Sequence, residues 1–131
     1  MASHSGNPKR EIEMGYPISA ETERQQADEL VKRYVYSLSL GIKKVFWVTV
    51  TEFHDFEGKG PDTYFNHVGL INNPKNDGES HKKLSYYSYK LLVEKLEGVD
   101  LNKVETLNLR DDIFAYRFYR GGHKVYVLWS E

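Results

Sequence analysis

One stretch of the chain shows a clear helical periodicity of apolar positions. Between residues 20 and 40, apolar side chains recur at spacings of three and four: Ala27, Leu30, Val31, Tyr34, Val35 and Leu38. This spacing places them on one face of an α-helix. Ser19 is suited to the helix N-terminus, and Gly41 supplies a C-terminal stop. The pattern therefore predicts an amphipathic helix over residues 19–40.

A continuous apolar segment follows this helix. Residues 43–53, KKVFWVTVTEF, are rich in β-branched and aromatic side chains and contain almost no polar residue before Thr49. This pattern predicts a strand covered on both faces, because an edge strand would alternate apolar and polar positions. A helix followed by a buried strand is typical of α/β proteins. Residues 54–80 then form a long acidic connection, a length that often carries function.

The last part of the chain predicts one more helix and three strands. Residues 82–97 return to helical spacing through Leu84, Tyr87, Leu91 and Leu92, with Gly98 as the stop. Alternating or β-branched patterns then predict strands at 104–109, 112–120 and 123–130. The last two strands are joined by Gly121-Gly122, which suits a two-residue hairpin turn.

Composition narrows the classes of partner. The chain has 131 residues, with 18 Lys and Arg against 19 Asp and Glu, a formal net charge of -1. Phosphate-backbone binding needs a basic surface, so we expect no nucleic-acid partner. No apolar run reaches the roughly 18 residues of a spanning helix, and the polar residues 1–10 lack a signal-peptide centre. We expect a disordered or tag-like start, no membrane partner and a cytoplasmic location.

Metal and cofactor motifs are not found in the sequence. Cysteine is absent, which excludes disulfides and thiolate metal sites. One loop concentrates other candidate ligands: His54, Asp55, Glu57, Asp62 and His67. Their spacing does not match a calcium loop, and neither HExxH nor a glycine-rich phosphate loop occurs. We therefore predict no metal and no cofactor.

Four ordered segments carry a resemblance to a known family. They are EMGYP at 13–17, QQADELVKRYVYSLSLGIKKVFW at 25–47, FNHVGLIN at 65–72 and KKLSYYSYKLLVEKLEG at 82–98. In this order they resemble the C-terminal part of a clan A retaining glycoside hydrolase barrel. The likeness is to xylosidase- and β-glycanase-like members that carry an appended β-domain.

The resemblance implies a fold class and a domain organisation. The expected fold is α/β, with a partial (β/α) barrel of about two βα units over residues 11–98, about a quarter of a full barrel. Residues 11–14 would end the seventh strand, and 43–52 would form the eighth. Residues 99–131 would be antiparallel strands of the trailing β-domain.

The resemblance also implies a catalytic position. Glu13 matches the glutamate that attacks the sugar at the end of the seventh strand, although Ile12 stands where the family has a hydroxyl residue. A retaining mechanism needs a second carboxyl group about 5 Å away, which belongs to the fourth strand of the barrel. This chain has no such strand, so we expect a hydrolase-like segment that is inactive alone. A solvated surface carboxylate is the alternative reading of Glu13.

Two further residues are candidates for substrate binding. Trp47 would lie on the eighth strand, where an aromatic ring can stack on a sugar, and Glu52 would lie at the catalytic rim of the barrel. Core packing is the alternative role for Trp47, and a charge at the start of a loop is the alternative for Glu52. The expected partners are a carbohydrate and either the missing barrel portion or further copies of the chain.

A second functional hypothesis comes from another class. A buried-type strand at 43–50 needs neighbours on both sides, which two βα units alone scarcely supply. In this hypothesis the chain is a small α/β binding or assembly module that associates with itself through exposed strands. Hydrolysis after addition of the missing barrel segment would separate the two hypotheses.

Overall fold

The computed structural model describes residues 21–55, 58 and 64–130. The described chain contains helices and a three-stranded antiparallel sheet. This confirms the prediction that the chain combines helices and strands. Contacts divide it into two compact units. Unit 1 holds the described residues of 21–30 and 46–89, and unit 2 holds 31–45 and 90–130.

Helix α1 runs over Glu23–Ser39, which confirms most of the first predicted helix. It begins later than Ser19, because Thr22 and Gln25 form a reciprocal cap. The Gln25 amide donates to Thr22 Oγ1 over 3.1 Å, and the Thr22 amide donates to Gln25 Oε1 over 2.9 Å. The predicted apolar face is largely correct, since four of its members are buried: Ala27, Leu30, Tyr34 and Val35.

The buried strand predicted at 43–53 is not formed. Residues 42–50 are irregular, and within the described residues Thr51 makes only an isolated parallel bridge to Ile71. Side chains on alternate positions are widely exposed: Phe46 at 74%, Val48 at 52% and Val50 at 58%. The composition of a doubly covered strand is present, but the described chain supplies no strand on either side to complete it.

The end of this extended segment is tied into unit 1 through residues 70–72. Leu70 N donates to Val50 O and Glu52 N donates to Ile71 O, each over 2.9 Å. On the other side, Lys83 N donates to Leu70 O over 2.9 Å. Residues 70–72 are therefore the central segment of three.

Two short helical turns interrupt the long connection. A 3₁₀ turn covers Tyr64–Asn66, and helix α2 covers Pro74–Asp77 with Asn73 as its N-cap. The Asn73 side chain accepts the Lys75 amide over 3.0 Å, as an N-cap does. The described part of the connection at 64–80 therefore contains local helical structure, with a capped turn at residues 73–77.

Helix α3 runs over Leu84–Leu96 and ends before Gly98, whose φ of 73° fits the predicted stop. Its predicted apolar face is largely wrong. Leu84, Tyr87 and Leu91 are between 50% and 56% exposed, whereas Ser85, Leu92 and Leu96 are buried. Ser85 lies on the buried face, where its hydroxyl group donates to Gln26 Oε1 over 2.9 Å.

The sheet lies in unit 2 and confirms the antiparallel ending. Its strands are β1 (Glu105–Thr106), β2 (Ile113–Arg120) and β3 (His123–Ser130), in that spatial order. Gly121 and Gly122 have φ of 51° and 85°, the positive values that a type I′ turn requires at both central positions.

One face of β2 packs into the core of unit 2. Phe118 and Tyr116 are buried there. The Trp129 ring stacks against Phe114 and Tyr116, with centroids 5.6 and 5.3 Å away.

None of the helices in the described part of the chain combines the length and apolar character needed to cross a membrane.

Candidate functional site

The structure describes two of the three residues that the sequence predicts for the site. Glu13 lies outside the described residues. Trp47 is half-buried, and its indole Nε1 donates to Val68 O over 2.7 Å. Glu52 is 3% exposed and lies where the extended segment joins residues 70–72. The structure thus fixes Trp47 and Glu52 in unit 1 through different partners.

Glu52 is one half of a buried ion pair. Its Oε1 contacts Lys83 Nζ, and the two side chains are 0% and 3% exposed, respectively. Its Oε2 accepts the Asn73 amide over 3.2 Å. Both carboxylate oxygens are therefore engaged within unit 1. The Asn73 side chain also donates to Glu52 O over 3.2 Å, so helix α2 is tied to the same point.

Lys83 extends the cluster to the backbone of His67. Its ammonium group donates to His67 O over 3.0 Å, and Gln26 Nε2 donates to the same carbonyl over 3.2 Å. Gln26 Oε1 in turn accepts the Ser85 hydroxyl group over 2.9 Å. All of these side chains are buried. A buried polar network of this kind is favourable when its members are paired, because each group has lost its contact with water.

This network holds backbone segments together and leaves little room for chemistry. Lys83 links Glu52, at the end of the extended segment, to residue 67, and Gln26 links α1 to α3. The Glu52 side chain is 0% exposed, and each of its carboxylate oxygens already contacts a donor, Lys83 or the Asn73 amide. We therefore define Glu52, Lys83, Gln26, Ser85 and the His67 carbonyl as the polar core of unit 1.

Sequence patterns missed most of the polar core. Lys83 precedes α3 in a basic HKK run that reads as a solvated face. The burial of Gln26 could have been predicted, because Gln26 lies beside Ala27 on the face of α1 that the periodicity predicts to be buried. A polar side chain on such a face needs a buried partner.

The polar core is flanked by a second carboxylate, Glu23. Its Oε2 accepts the amide of Leu84, the first residue of α3, over 3.1 Å, and its Oε1 lies 2.6 Å from His81 Nε2. Burial alone would raise the pKa of Glu23, but the hydrogen bonds from His81 and the Leu84 amide outweigh it and lower the pKa below its ordinary value of 4.5. A carboxylate at a helix N-terminus is also stabilised by the helix dipole.

Glu23 therefore makes stability depend on pH. Its pKa is lower in the folded chain, so its contribution is complete above the unfolded value and is lost as pH falls through the folded pKa. We expect Glu23→Gln to cost about 0.5–1 kcal/mol at pH 7, a modest figure because the side chain is partly solvated.

Urea unfolding at several pH values measures this contribution. The difference between the parent chain and Glu23→Gln should shrink as pH falls below 4.5, the ordinary pKa of the group. A difference that stayed constant down to low pH would contradict the assignment. Glu94→Gln, at an exposed pair with Lys90, is the control and should change little.

A separate charged group lies on the sheet of unit 2. Glu105 accepts the Tyr119 hydroxyl group over 2.7 Å and contacts Arg117 Nη2. Both hydrogen bonds lower the pKa of Glu105, and the one from Tyr119 has the larger effect. Hydrogen bonds to Glu105 and Tyr126 raise the pKa of Arg117. This pairing keeps β1 in register with β2.

A cleft of about 490 Å³ also belongs to unit 2. The loop at 106–111 forms one wall, and residues 113–116 form the other. Its size is within the range of small-molecule sites, but none of the predicted site residues lies there. Among the described residues, no three His, Asp or Glu side chains are placed to hold a metal ion.

No protein-family model, curated protein sequence or solved structure matches this chain.

Proposed function

We propose that this chain is a C-terminal segment of a retaining glycoside hydrolase barrel, inactive alone and dependent on the missing barrel strands. The observation that supports it is the extended segment at 46–50. Its composition is that of a strand with neighbours on both sides, yet Phe46, Val48 and Val50 are more than half exposed. Burial of each such side chain is favourable by about 1.5–3 kcal/mol. Association that covers them would therefore be stabilised by the hydrophobic effect.

The partner in this proposal is a set of parallel strands. The Trp47 side chain is held by the Val68 carbonyl, so unit 1 covers part of the face that carries Trp47, and the open face is the one that carries the alternate side chains. The bridge between Thr51 and Ile71 is parallel, the orientation that barrel strands share. The polar core fixes the end of the segment at Glu52 and so presets its direction for docking.

The assignment of residue roles follows from the same proposal. Glu13 is the nucleophile, and the acid/base carboxyl group comes with the missing strands. Trp47 lines the sugar site with its ring, oriented by its hydrogen bond. Glu52 acts there as a positioning residue, because its carboxylate is bound to Lys83 and the Asn73 amide.

Fragment complementation tests the proposal. The full chain is mixed or co-expressed with the first six βα units of a clan A retaining glycosidase that retains its own acid/base glutamate. The chain alone should release no nitrophenol from aryl xylosides or glucosides. The mixture should hydrolyse at least one of them, and Glu13→Gln in the mixture should lower turnover by about a thousandfold or more.

Matched variants separate docking from chemistry. Val48→Asp should prevent formation of the complex while leaving the chain folded, because Val48 is 52% exposed. Leu109→Asp, at a side chain that is 54% exposed on a loop of unit 2, should leave the complex intact. A complex that forms without hydrolysis would contradict the glycosidase function. Failure to form any complex would contradict the barrel assignment itself.

A further inference from the structure

Strand β3 is the edge strand of the sheet formed by the described residues of unit 2. It pairs with β2 over all of its 8 residues without a bulge, and in the described part of the chain no other strand pairs with it. Its sequence, HKVYVLWS, contains no proline and one lysine. An edge with so little protection is a ready template for another strand.

Hydrogen bonds on the far side of β2 show which groups of β3 point outward. Ala115 O accepts the Leu107 amide and Tyr119 O accepts the Asp100 amide, each over 2.8 Å. The odd-numbered residues of β2 therefore direct their backbone groups away from β3. Because this direction alternates along a strand, the even-numbered residues of β2 bond to β3.

The register then identifies the free groups. Tyr116 is opposite Val127, and Phe118 is opposite Val125, so the odd-numbered residues of β3 bond inward. The even-numbered residues direct their N–H and C=O groups to the open edge: Lys124, Tyr126, Leu128 and Ser130. Two of these carry large exposed side chains, Tyr126 at 49% and Leu128 at 52%.

We propose that β3 pairs with β3 of a second copy of this chain, antiparallel about a two-fold axis at Val127, to form one continuous sheet. This register places Tyr126 opposite Leu128 of the second copy and Val125 opposite Trp129 of the second copy. An aromatic–β-branched cross-strand pair such as Val125 with Trp129 stabilises a sheet by about 0.2–1 kcal/mol.

The strand is complementary to itself in this register. Lys124 lies opposite Ser130 of the second copy, so the lysine side chains are kept apart and no like charges face each other. All four outward-directed residues find an outward-directed partner. An axis at Val125 would instead place Leu128 opposite Gly122 in the turn and leave the exposed leucine unpaired. This pairing involves only unit 2 and does not depend on the proposed glycosidase function.

Cysteine cross-linking tests the axis directly, because the chain contains no cysteine of its own. Val127 would face Val127 of the second copy in a non-hydrogen-bonded pair, with Cα atoms about 4.5 Å apart, a distance that a disulfide can span. Val127→Cys should therefore form a disulfide dimer under mild oxidation at micromolar concentration.

Val125→Cys is the matched control. Two copies of residue 125 would lie four residues apart along the paired strands, about 14 Å at 3.4 Å per residue. That separation is too long for a disulfide, so cross-linking should be at least about tenfold slower than for Val127→Cys. Equal rates for the two variants would overturn the proposed register.

Sedimentation of the parent chain and two charge variants tests the pairing without cross-links. The parent should be a dimer at tens of micromolar, and Tyr126→Lys and Leu128→Glu should each weaken dimerisation about tenfold or more. An equimolar mixture of the two variants should dimerise more tightly than either alone, because the new lysine faces the new glutamate. Circular dichroism checks that both variants are folded. A monomeric parent, or dimers unaffected by both substitutions, would overturn the proposal.

Discussion

Replacing Lys83 with methionine is expected to lower the free energy of unfolding by about 3–5 kcal/mol. The substitution removes the ammonium group that contacts Glu52 Oε1, and the Glu52 side chain is 0% exposed. The remaining carboxylate would be buried without its counter-charge, which costs far more than the net worth of the pair. His67 O would keep one donor, Gln26 Nε2 at 3.2 Å, so the loss should come mainly from Glu52.

Urea unfolding of a second variant separates the buried charge from the loss of packing. Lys83→Met combined with Glu52→Gln has no unpaired carboxylate, and the new amide can still accept the Asn73 N–H. This double variant should recover most of the loss, to within about 1–2 kcal/mol of the parent.

Lys90→Met is the control for lysine removal at a solvated pair. Lys90 and Glu94 are 64% and 58% exposed, so the change should be within about 0.5 kcal/mol. A double variant no more stable than Lys83→Met alone would show that the ion pair is not the cause.

Local sequence patterns were sufficient to predict helix α1 and the β2–β3 hairpin. The face of α1 follows from apolar spacing alone, and the β2–β3 hairpin follows from alternation around Gly121 and Gly122. In both cases the residues that decide the structure are neighbours in the sequence or one helical turn apart. The start of α1 was misplaced because the cap is made by Thr22 and Gln25, while the prediction followed Ser19.

The extended segment shows why burial pattern alone does not make a strand. Phe46, Val48 and Val50 are the side chains of a covered strand, but hydrogen-bonded neighbours must come from other parts of a sheet. A run of apolar residues indicates that burial is favourable, but it does not show which other segment of the protein covers these side chains. The same reason applies to Leu84 and Tyr87 on α3, which are exposed although they fit a helical face.

The polar core could not be assembled from sequence because its members are far apart along the chain. Nothing near Glu52 indicates that its counter-ion is Lys83, since each residue taken alone looks like a solvated charge. Their pairing depends on the bridge that places residues 70–72 between the two segments. Long-range pairing of this kind is the information that a single sequence carries least directly.

Substituting Gly69 with alanine is expected to destabilise the chain by about 1–3 kcal/mol through a backbone clash. A Cβ atom at this position would lie 2.5 Å from Glu52 N, 2.9 Å from the Thr51 carbonyl carbon and 2.8 Å from Glu52 Cγ. Two of these atoms are backbone, so the segment that carries Glu52 must move. The polar core should therefore be disturbed together with the local packing.

A double-mutant cycle with Lys83→Met tests this connection, because groups in contact do not contribute additively. If alanine displaces Glu52, Lys83→Met should cost at least about 1 kcal/mol less in the Gly69→Ala background than in the parent. Gly121→Ala is the control: its Cβ would meet no atom within 4 Å, and its cost of about 1 kcal/mol comes from positive φ alone. That variant should be additive with Lys83→Met. Additivity for Gly69→Ala as well, within about 0.5 kcal/mol, would mean that Glu52 keeps its place and that the glycine is required only for local packing.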